Sequence, residues 1–408
     1  MEVLHRRCAG LDVHKKTVVA CARLMEGDTI HYEVRTFGTT TSALLALGDW
    51  LRAHGCTHAV LESTGVYWQP VWHVLAEELE LVLAHAAAVR NIPGRKSDVS
   101  DAQWLAELLA HGLVRPSFVP SGPQQALREL TRTRKQLVRE VGAHSQRIHK
   151  LLESANLKLS SVLTDLLGVS GRAILRALAA GETDPVHLAD CLHRRSHGKR
   201  AAVIDALQGR LRPHQRVLLG QHLTLVTALE ASIRALEEEI ATALAPFRRA
   251  VAHVLTVPGV NTTAAPVILA EIGTDMSRFP TAGHLRSWAR LSPRLDESAG
   301  RHRSRRIQRG GRWLKATLIQ CAWGAIQVRD SYPRALYHRL VRRHGKKPAI
   351  VAVAAALLTA IYHMLRTDQD YRDLGPAHFT DADRQRAANR LARRLRALGY
   401  EVSLRPAA

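Results

Sequence analysis

The sequence predicts a mixed α/β domain at the N-terminus, followed by a long, strongly basic helical region. Three observations carry this expectation. Residues 8–110 alternate short apolar runs with amphipathic ones in the order β-β-β-α-β-α-β-α, which implies a central mixed sheet covered by helices. Two later segments, Gln124–Leu157 and Pro213–Leu244, repeat apolar residues at three-, four- or seven-residue spacing, with basic residues between them in the first. Charge divides the chain the same way. Through Gly112 there are 10 Lys and Arg against 13 Asp and Glu, whereas the remainder holds 48 against 23. The whole 408-residue chain carries +22 with a pI near 10.7, and such a protein attracts polyanions, nucleic acid first among them. A hydrophobic content of 46% is enough for two or three cored domains and excludes a disordered chain.

The elements follow in order. Residues 8–24 form a strand, a short turn and a second strand, with Asp12 set among apolar neighbours in the first. Ile30–Phe37 is a third strand, Thr41–Ala53 an amphipathic helix, and His58–Leu61 a short buried strand ending at Glu62. Trp68–Leu79 is helical and Leu81–Ala86 is another buried strand. After the loop at Asn91, Ser97 offers an N-cap to a helix beginning at Asp98. Asp98 and Asp101 then share one helix face, and adjacent carboxylates repel unless a cation lies between them. Mg²⁺ suits hard oxygen ligands of this kind. The plainer reading places both acids in a solvated first turn, favoured by the helix dipole. Asp12 and Glu62 sit in a strand and at a strand tip, where α/β sheets build their sites, though each alone reads equally well as a structural acid.

Cys8, Cys21, Cys56, Cys191 and Cys321 form no Cys-x-x-Cys pair, which argues against a disulfide framework or structural zinc and fits a reducing cytoplasm. No secretory signal is expected, and the most apolar run, Pro348–Ile361, is too short and Ala-rich for a membrane span. The two long helices have the pattern of a coiled coil within the chain or between protomers; the alternative is burial against the protein. Between them, His193, Arg194, Arg195, His197, Lys199 and Arg200 form a basic patch suited to a nucleic-acid backbone. Leu255–Gly273 resembles a helix-hairpin-helix element, a Pro-Gly turn whose following helix start offers amides to a phosphate.

Ten basic residues lie between Arg286 and Lys315, among them Arg294, Arg301, Arg303, Arg305, Arg306 and Arg309, against only Asp296 and Glu297. They read as a basic loop around Ser298 that leads into a helix from about Arg312. Crowded guanidinium groups activate a serine and stabilise charge on an attacked phosphate. The competing reading is a phosphate-gripping loop whose serine only donates a hydrogen bond. Ser292 and Ser304 are weaker candidates. Helices at Leu314–Val328, Tyr332–Arg342 and Ala349–Arg366 complete the chain, with Trp313 and Trp323 expected in the core and an exposed basic stretch at Arg384–Arg396.

Three motifs carry a family resemblance. Gly-Leu-Asp12-Val-His-Lys, Glu62-Ser-Thr-Gly-Val-Tyr-Trp and Lys-Ser-Asp98-x-x-Asp101-Ala resemble the signature of the DEDD transposases of the insertion-sequence 110 family. That resemblance implies a RuvC-like, ribonuclease-H-like N-terminal domain in which Asp12, Glu62, Asp98 and Asp101 bind one or two Mg²⁺. Lys96 then meets a phosphate, or is an ordinary surface lysine. Family members also carry a Leu-x-Pro segment, a Ser-Ser-Gly-Gly-like cluster whose second serine is the nucleophile, and a basic Ile-x-Lys-x-Gly stretch. Here the cluster is Glu297-Ser298-Ala299-Gly300, so Ser298 takes the nucleophile's place, while Glu297 replaces the first serine and Ala299 the first glycine. Ile307–Gly311 is one residue shorter than the family pattern.

The resemblance covers residues 8–112 and 250–366. It implies a division into 1–118 (RuvC-like), 119–249 (helical, coiled coil), 250–370 (all-α transposase domain with the serine) and 371–408 (basic tail). It also implies a transposase or site-specific recombinase acting on donor and target DNA through a phosphoserine link. A non-coding bridge RNA would guide it, and a dimer assembling to a tetramer in the cytoplasm, away from membranes, would complete each site between protomers. The rivals are a Mg²⁺-dependent junction nuclease without serine chemistry, and a non-catalytic basic nucleic-acid-binding protein.

Overall fold

The computed structural model describes residues 3–62, 65–84, 98–293, 296–298, 301–304, 307 and 310–403; the side chains of 98–100, 296–298, 301–304, 379–387 and 390 lie outside that description. The chain forms two compact units, Met1–Pro120 and Ser121–Ala408.

Among the described residues the first unit is built on five strands: β1 (Arg7–Val13), β2 (Thr17–Glu26), β3 (Thr29–Gly38), β4 (His58–Glu62) and β5 (Glu80–Ala84). Their order across the sheet is β3-β2-β1-β4-β5. The first three form an antiparallel meander because only tight turns separate them, whereas β4 and β5 run parallel to β1 after helical crossovers. Helices α1 (Thr41–Ala53) and α2 (Trp68–Leu75) cover one face, burying Leu44, Leu47, Leu51, Val71 and Leu75 against Leu11, Val13, Ala20 and Leu61. Thr40 caps α1 through its hydroxyl, which accepts from the Ala43 amide. α2 stops a turn earlier than its apolar pattern predicts, because Glu78 and Leu79 turn back onto the Leu75 carbonyl to enter edge strand β5. Helix α3 (Asp98–Ala110) covers the other face through Ala102, Leu105, Leu109 and Ala110. Period-two alternation on β1 thus serves two cores, Ala9 and Leu11 on one side and Cys8 on the other. The cysteines described are free thiols, and burial pushes those of Cys8 and Cys21 up to about 12.

Among the described residues the second unit is helical apart from one hairpin. Its two longest helices, Gly122–Ser154 and Pro213–Ala243, lie antiparallel within the chain. Gln215 meets Ser154 at one end (3.0 Å), His144 meets His222 (3.1 Å), and Arg134 pairs with Glu237 toward the other. Each end of the pair is anchored in its own core. Ile148, Leu152, Leu219 and Leu223 join the short helices of residues 157–211, while Leu127 and Ile240 join the C-terminal helices. In the central stretch Leu137, Val141, Leu229 and Ile233 are only half-buried.

The Pro258-Gly259 turn is real, and Gly259 is required there. Its φ is +78°, and a Cβ would stand 2.1 Å from the Cys321 carbonyl oxygen. The amides of Thr263 and Ala264 that open helix Ala264–Ile272 are capped from within by the Asn261 carboxamide (3.2 and 2.9 Å), so at those two positions the expected phosphate grip is already occupied. At the other end of that helix, Arg128 donates to the Ala270 and Glu271 carbonyls and Gln124 to Ala270, satisfying groups a helix terminus leaves open. Lys346–Thr367 is longer than the apolar run expected there and is long and apolar enough to cross a membrane. Here Ile350, Val353, Leu357, Leu358 and Ile361 lie buried in the C-terminal core instead.

Candidate metal centre and serine hairpin

The N-terminal candidates converge through register. β1 and β4 are parallel with Leu11 opposite Leu61, so Asp12 and Glu62 are the next residues along two adjacent strands. Alternation puts both on the face covered by α3, because Cys8, Gly10 and Val60 already meet that helix. Asp12 is 15% exposed at its side chain, and its Oδ2 lies 3.0 Å from His14 Nε2. His14 was not singled out from the sequence; Asp-x-His at the end of a strand, a two-residue spacing that returns to the same side, was the available signal.

α3 runs opposite to β1. The Ala110 carbonyl accepts from the Leu4 and His5 amides just before β1, and the Ala106 carbonyl meets the Cys8 thiol. Gly10 is packed so closely that a Cβ on it would stand 2.0 Å from the Ala102 carbonyl oxygen. From Ala102 back to Asp98 the helix rises about 6 Å. From Gly10 on to Asp12 the strand advances about 7 Å. The helix start therefore stands level with Asp12, and Asp101, half-buried, lies one residue before the contact at Ala102. The Asp98 side chain and Lys96 are outside the described residues. Among the described residues no group of three or more His, Cys, Asp or Glu is close enough to hold a metal ion.

A buried ion pair fixes α3 farther along. Arg23 on β2 is fully buried and its Nε lies 2.9 Å from Glu107 Oε1, while the Tyr32 hydroxyl donates to the same oxygen. Burial pushes the Glu107 carboxyl up, but the Tyr32 and Arg23 hydrogen bonds outweigh it and hold the group below its ordinary value.

In the second unit, the expected basic loop is a short antiparallel hairpin, β6 (Asp296–Ser298) and β7 (Arg301–Ser304), with Ser298 opposite Arg301. A bridge between Pro293 and Ile307 closes its base. Ser298, Arg301 and Arg303 are placed by their backbone only; Arg294, Arg305, Arg306 and Arg309 lie outside the described residues. The helix that follows begins at Leu314. Trp313 and Trp323 are not core residues. Trp323 is 42% exposed, and Trp313 is half-buried beneath arginines. In the basic patch between the long helices, Arg200 pairs with Asp190 (2.7 Å) and Lys199 donates to the Val162 carbonyl, so part of that charge is used in holding the fold.

The mixed sheet sets Asp12 beside Glu62, and the basic helical unit carries the serine hairpin. Comparison with known proteins gives the family. A family model described as a transposase, of the DEDD type of IS110, matches residues 9–157, and one described as the transposase IS116/IS110/IS902 family matches residues 251–338. The chain belongs to the IS110 family of transposases. Over 153 residues it is 34% identical to an uncharacterized 43.6 kDa protein of insertion element IS110 from Streptomyces coelicolor, spanning 37% of this chain and 35% of that protein's length. It is 26% identical over 313 residues to a probable family 20 transposase from Pseudomonas aeruginosa, covering 75% of this chain and 82% of that protein.

Proposed function

We propose that this chain cuts and rejoins donor and target DNA as the recombinase of an insertion sequence, through a phosphoserine link at Ser298. Asp12, Glu62, Asp98 and Asp101 hold one or two Mg²⁺ ions in a ribonuclease-H-like unit. The observation that supports this most directly is the adjacent, in-register placement of Asp12 and Glu62 on the face where the Asp98 helix begins. These are hard oxygen donors drawn from three elements, the donor set that suits Mg²⁺. Bound there, the ion polarises a phosphate and stabilises the attacking and leaving oxygens.

The rest of the chemistry belongs to the chain's own residues. Ser298 Oγ attacks phosphorus; the serine–phosphate bond forms as the bond to one DNA oxygen breaks, and the serine proton passes to that departing oxygen. Attack by a hydroxyl of another strand reverses the step and frees the serine. Arg294, Arg301, Arg303, Arg305, Arg306 and Arg309 hold the phosphate's charge, and Lys96 meets a neighbouring phosphate. A bridge RNA bound by the basic helical regions selects the DNA, and a dimer assembling to a tetramer in the cytoplasm completes each site. The working parts are residues 1–118, the coiled-coil region 119–249, the transposase domain 250–370 and the tail 371–408.

The test uses the whole protein with Mg²⁺, the element's flanking RNA and labelled junction DNA. Wild type is expected to leave a denaturation-resistant protein–DNA band that Ser298→Ala abolishes. Asp12→Asn and chelation of Mg²⁺ are expected to abolish it while DNA binding persists. Free cleaved ends unaffected by Ser298→Ala would replace this reading with that of a metal-dependent nuclease.

A further inference from the structure

Trp313 stands just after the serine hairpin and is surrounded by cations. The guanidinium carbons of Arg139, Arg312 and Arg132 lie 5.1, 5.5 and 5.7 Å from its ring centroid. Beneath it, Lys135 Nζ donates to the Thr317 hydroxyl (2.8 Å) and reaches the Trp313 carbonyl (3.5 Å). The one acid in the group, Glu271, is 5% exposed and is consumed by Arg132, which grips both its oxygens at 2.7 and 2.8 Å. Among the described residues, Lys135, Arg139 and Arg312 have no carboxylate partner.

Two guanidiniums without a carboxylate partner, Arg139 and Arg312, gathered on one aromatic ring beside the Lys135 ammonium repel one another, and the arrangement holds because the ring attracts and orients the guanidiniums. Arg139 and Arg312 are exposed. Burial first and the neighbouring Arg139 second depress the Lys135 ammonium, against a smaller opposing pull from Glu271. Such a site suits an anionic ligand. An isolated small anion would meet the two exposed guanidiniums only from one side, whereas a phosphodiester chain presents charges in series along a strand.

We propose that Arg139 and Arg312, stacked on Trp313 above Lys135, form a phosphodiester-binding clamp that seats the nucleic-acid backbone beside the serine hairpin. This rests on the reading of the chain as a nucleic-acid recombinase, and it adds a site on the first long helix that the serine motif does not include. Trp313 acts as a positioning residue, holding both guanidiniums in place for the phosphates.

The experiment measures binding of the full chain to a labelled DNA duplex and to a labelled single-stranded RNA across a salt series, without catalysis. The Arg139→Gln/Arg312→Gln protein is expected to lose about two in the slope of log K against log salt, close to one for each phosphate contact removed. Loss with DNA assigns the clamp to the DNA strand, and loss with RNA alone assigns it to RNA; either supports it. A slope unchanged on both ligands overturns the clamp. So does an equal loss in a charge-matched Arg342→Gln/Arg343→Gln protein, since the effect would then report net charge alone. Failure here leaves the covalent adduct at Ser298 intact, and failure of the adduct leaves this slope intact, so the two ideas fall separately.

Discussion

At the scale of single residues, the Arg23–Glu107 pair has the clearest energetic consequence. Arg23 is fully buried, and its two Nη atoms find no partner among the described residues, so its charge depends on Glu107. Removing one partner of a buried pair leaves an uncompensated charge, and Glu107→Ala is expected to cost about 3 kcal/mol in chemical denaturation. The pH dependence has a definite sign. Glu107 titrates lower in the folded chain than its ordinary value of 4.5, so the stability it contributes is present above that value and is lost as pH falls through the lower folded one. Wild type should therefore lose stability below about pH 4.5 more steeply than Glu107→Gln. Parallel curves for the two proteins would sink this account. Nothing in the sequence pointed to this pair: its members are 84 residues apart, and an arginine on an otherwise apolar strand carries no label of its partner.

At the scale of elements, the position of α3 decides whether the acids meet. Gly10 lets the helix backbone approach β1 so closely that even a methyl group would overlap Ala102 and Ala106. Gly10→Ala is expected to push α3 off the sheet, destabilise the first unit by about 2–3 kcal/mol and abolish DNA cleavage while duplex binding survives. Near-normal cleavage by a folded Gly10→Ala protein would show that the helix start need not stand level with Asp12. The elements themselves were legible, because the apolar runs of β1 and β2 and the helical spacing after Asp98 are strong local patterns. Their ends were less so. α2 lost its last turn to the entry of β5, and the serine loop became a hairpin, since strand pairing between residues 296–298 and 301–304 draws on backbone groups that a run of arginines does not reveal.

At the scale of the whole molecule, charge governs binding. With 48 basic residues against 23 acidic after Gly112, contacts to six or more phosphates are expected to cost at least about a thousandfold in affinity between roughly 50 and 200 mM salt. Fluorescence anisotropy with a labelled duplex measures this directly, and a change below about tenfold would mean that few phosphates are engaged. Part of the charge is spent internally. Arg132 serves Glu271 and Arg200 serves Asp190, so counting basic residues overstates the surface available to nucleic acid.

The sequence by itself determined the element order of the first unit, the two long helices, the division into acidic and basic parts and the family motifs. These all rest on local periodicity, composition or contiguous residues, which a linear chain displays openly. Only the tertiary structure decided which side chains meet. The placement of Asp12 beside Glu62 follows from the parallel register of strands 50 residues apart in sequence. The gathering of arginines on Trp313 follows from a long helix returning against the start of another. Contacts of this kind depend on how loops close and faces pack, and no short stretch of residues encodes that.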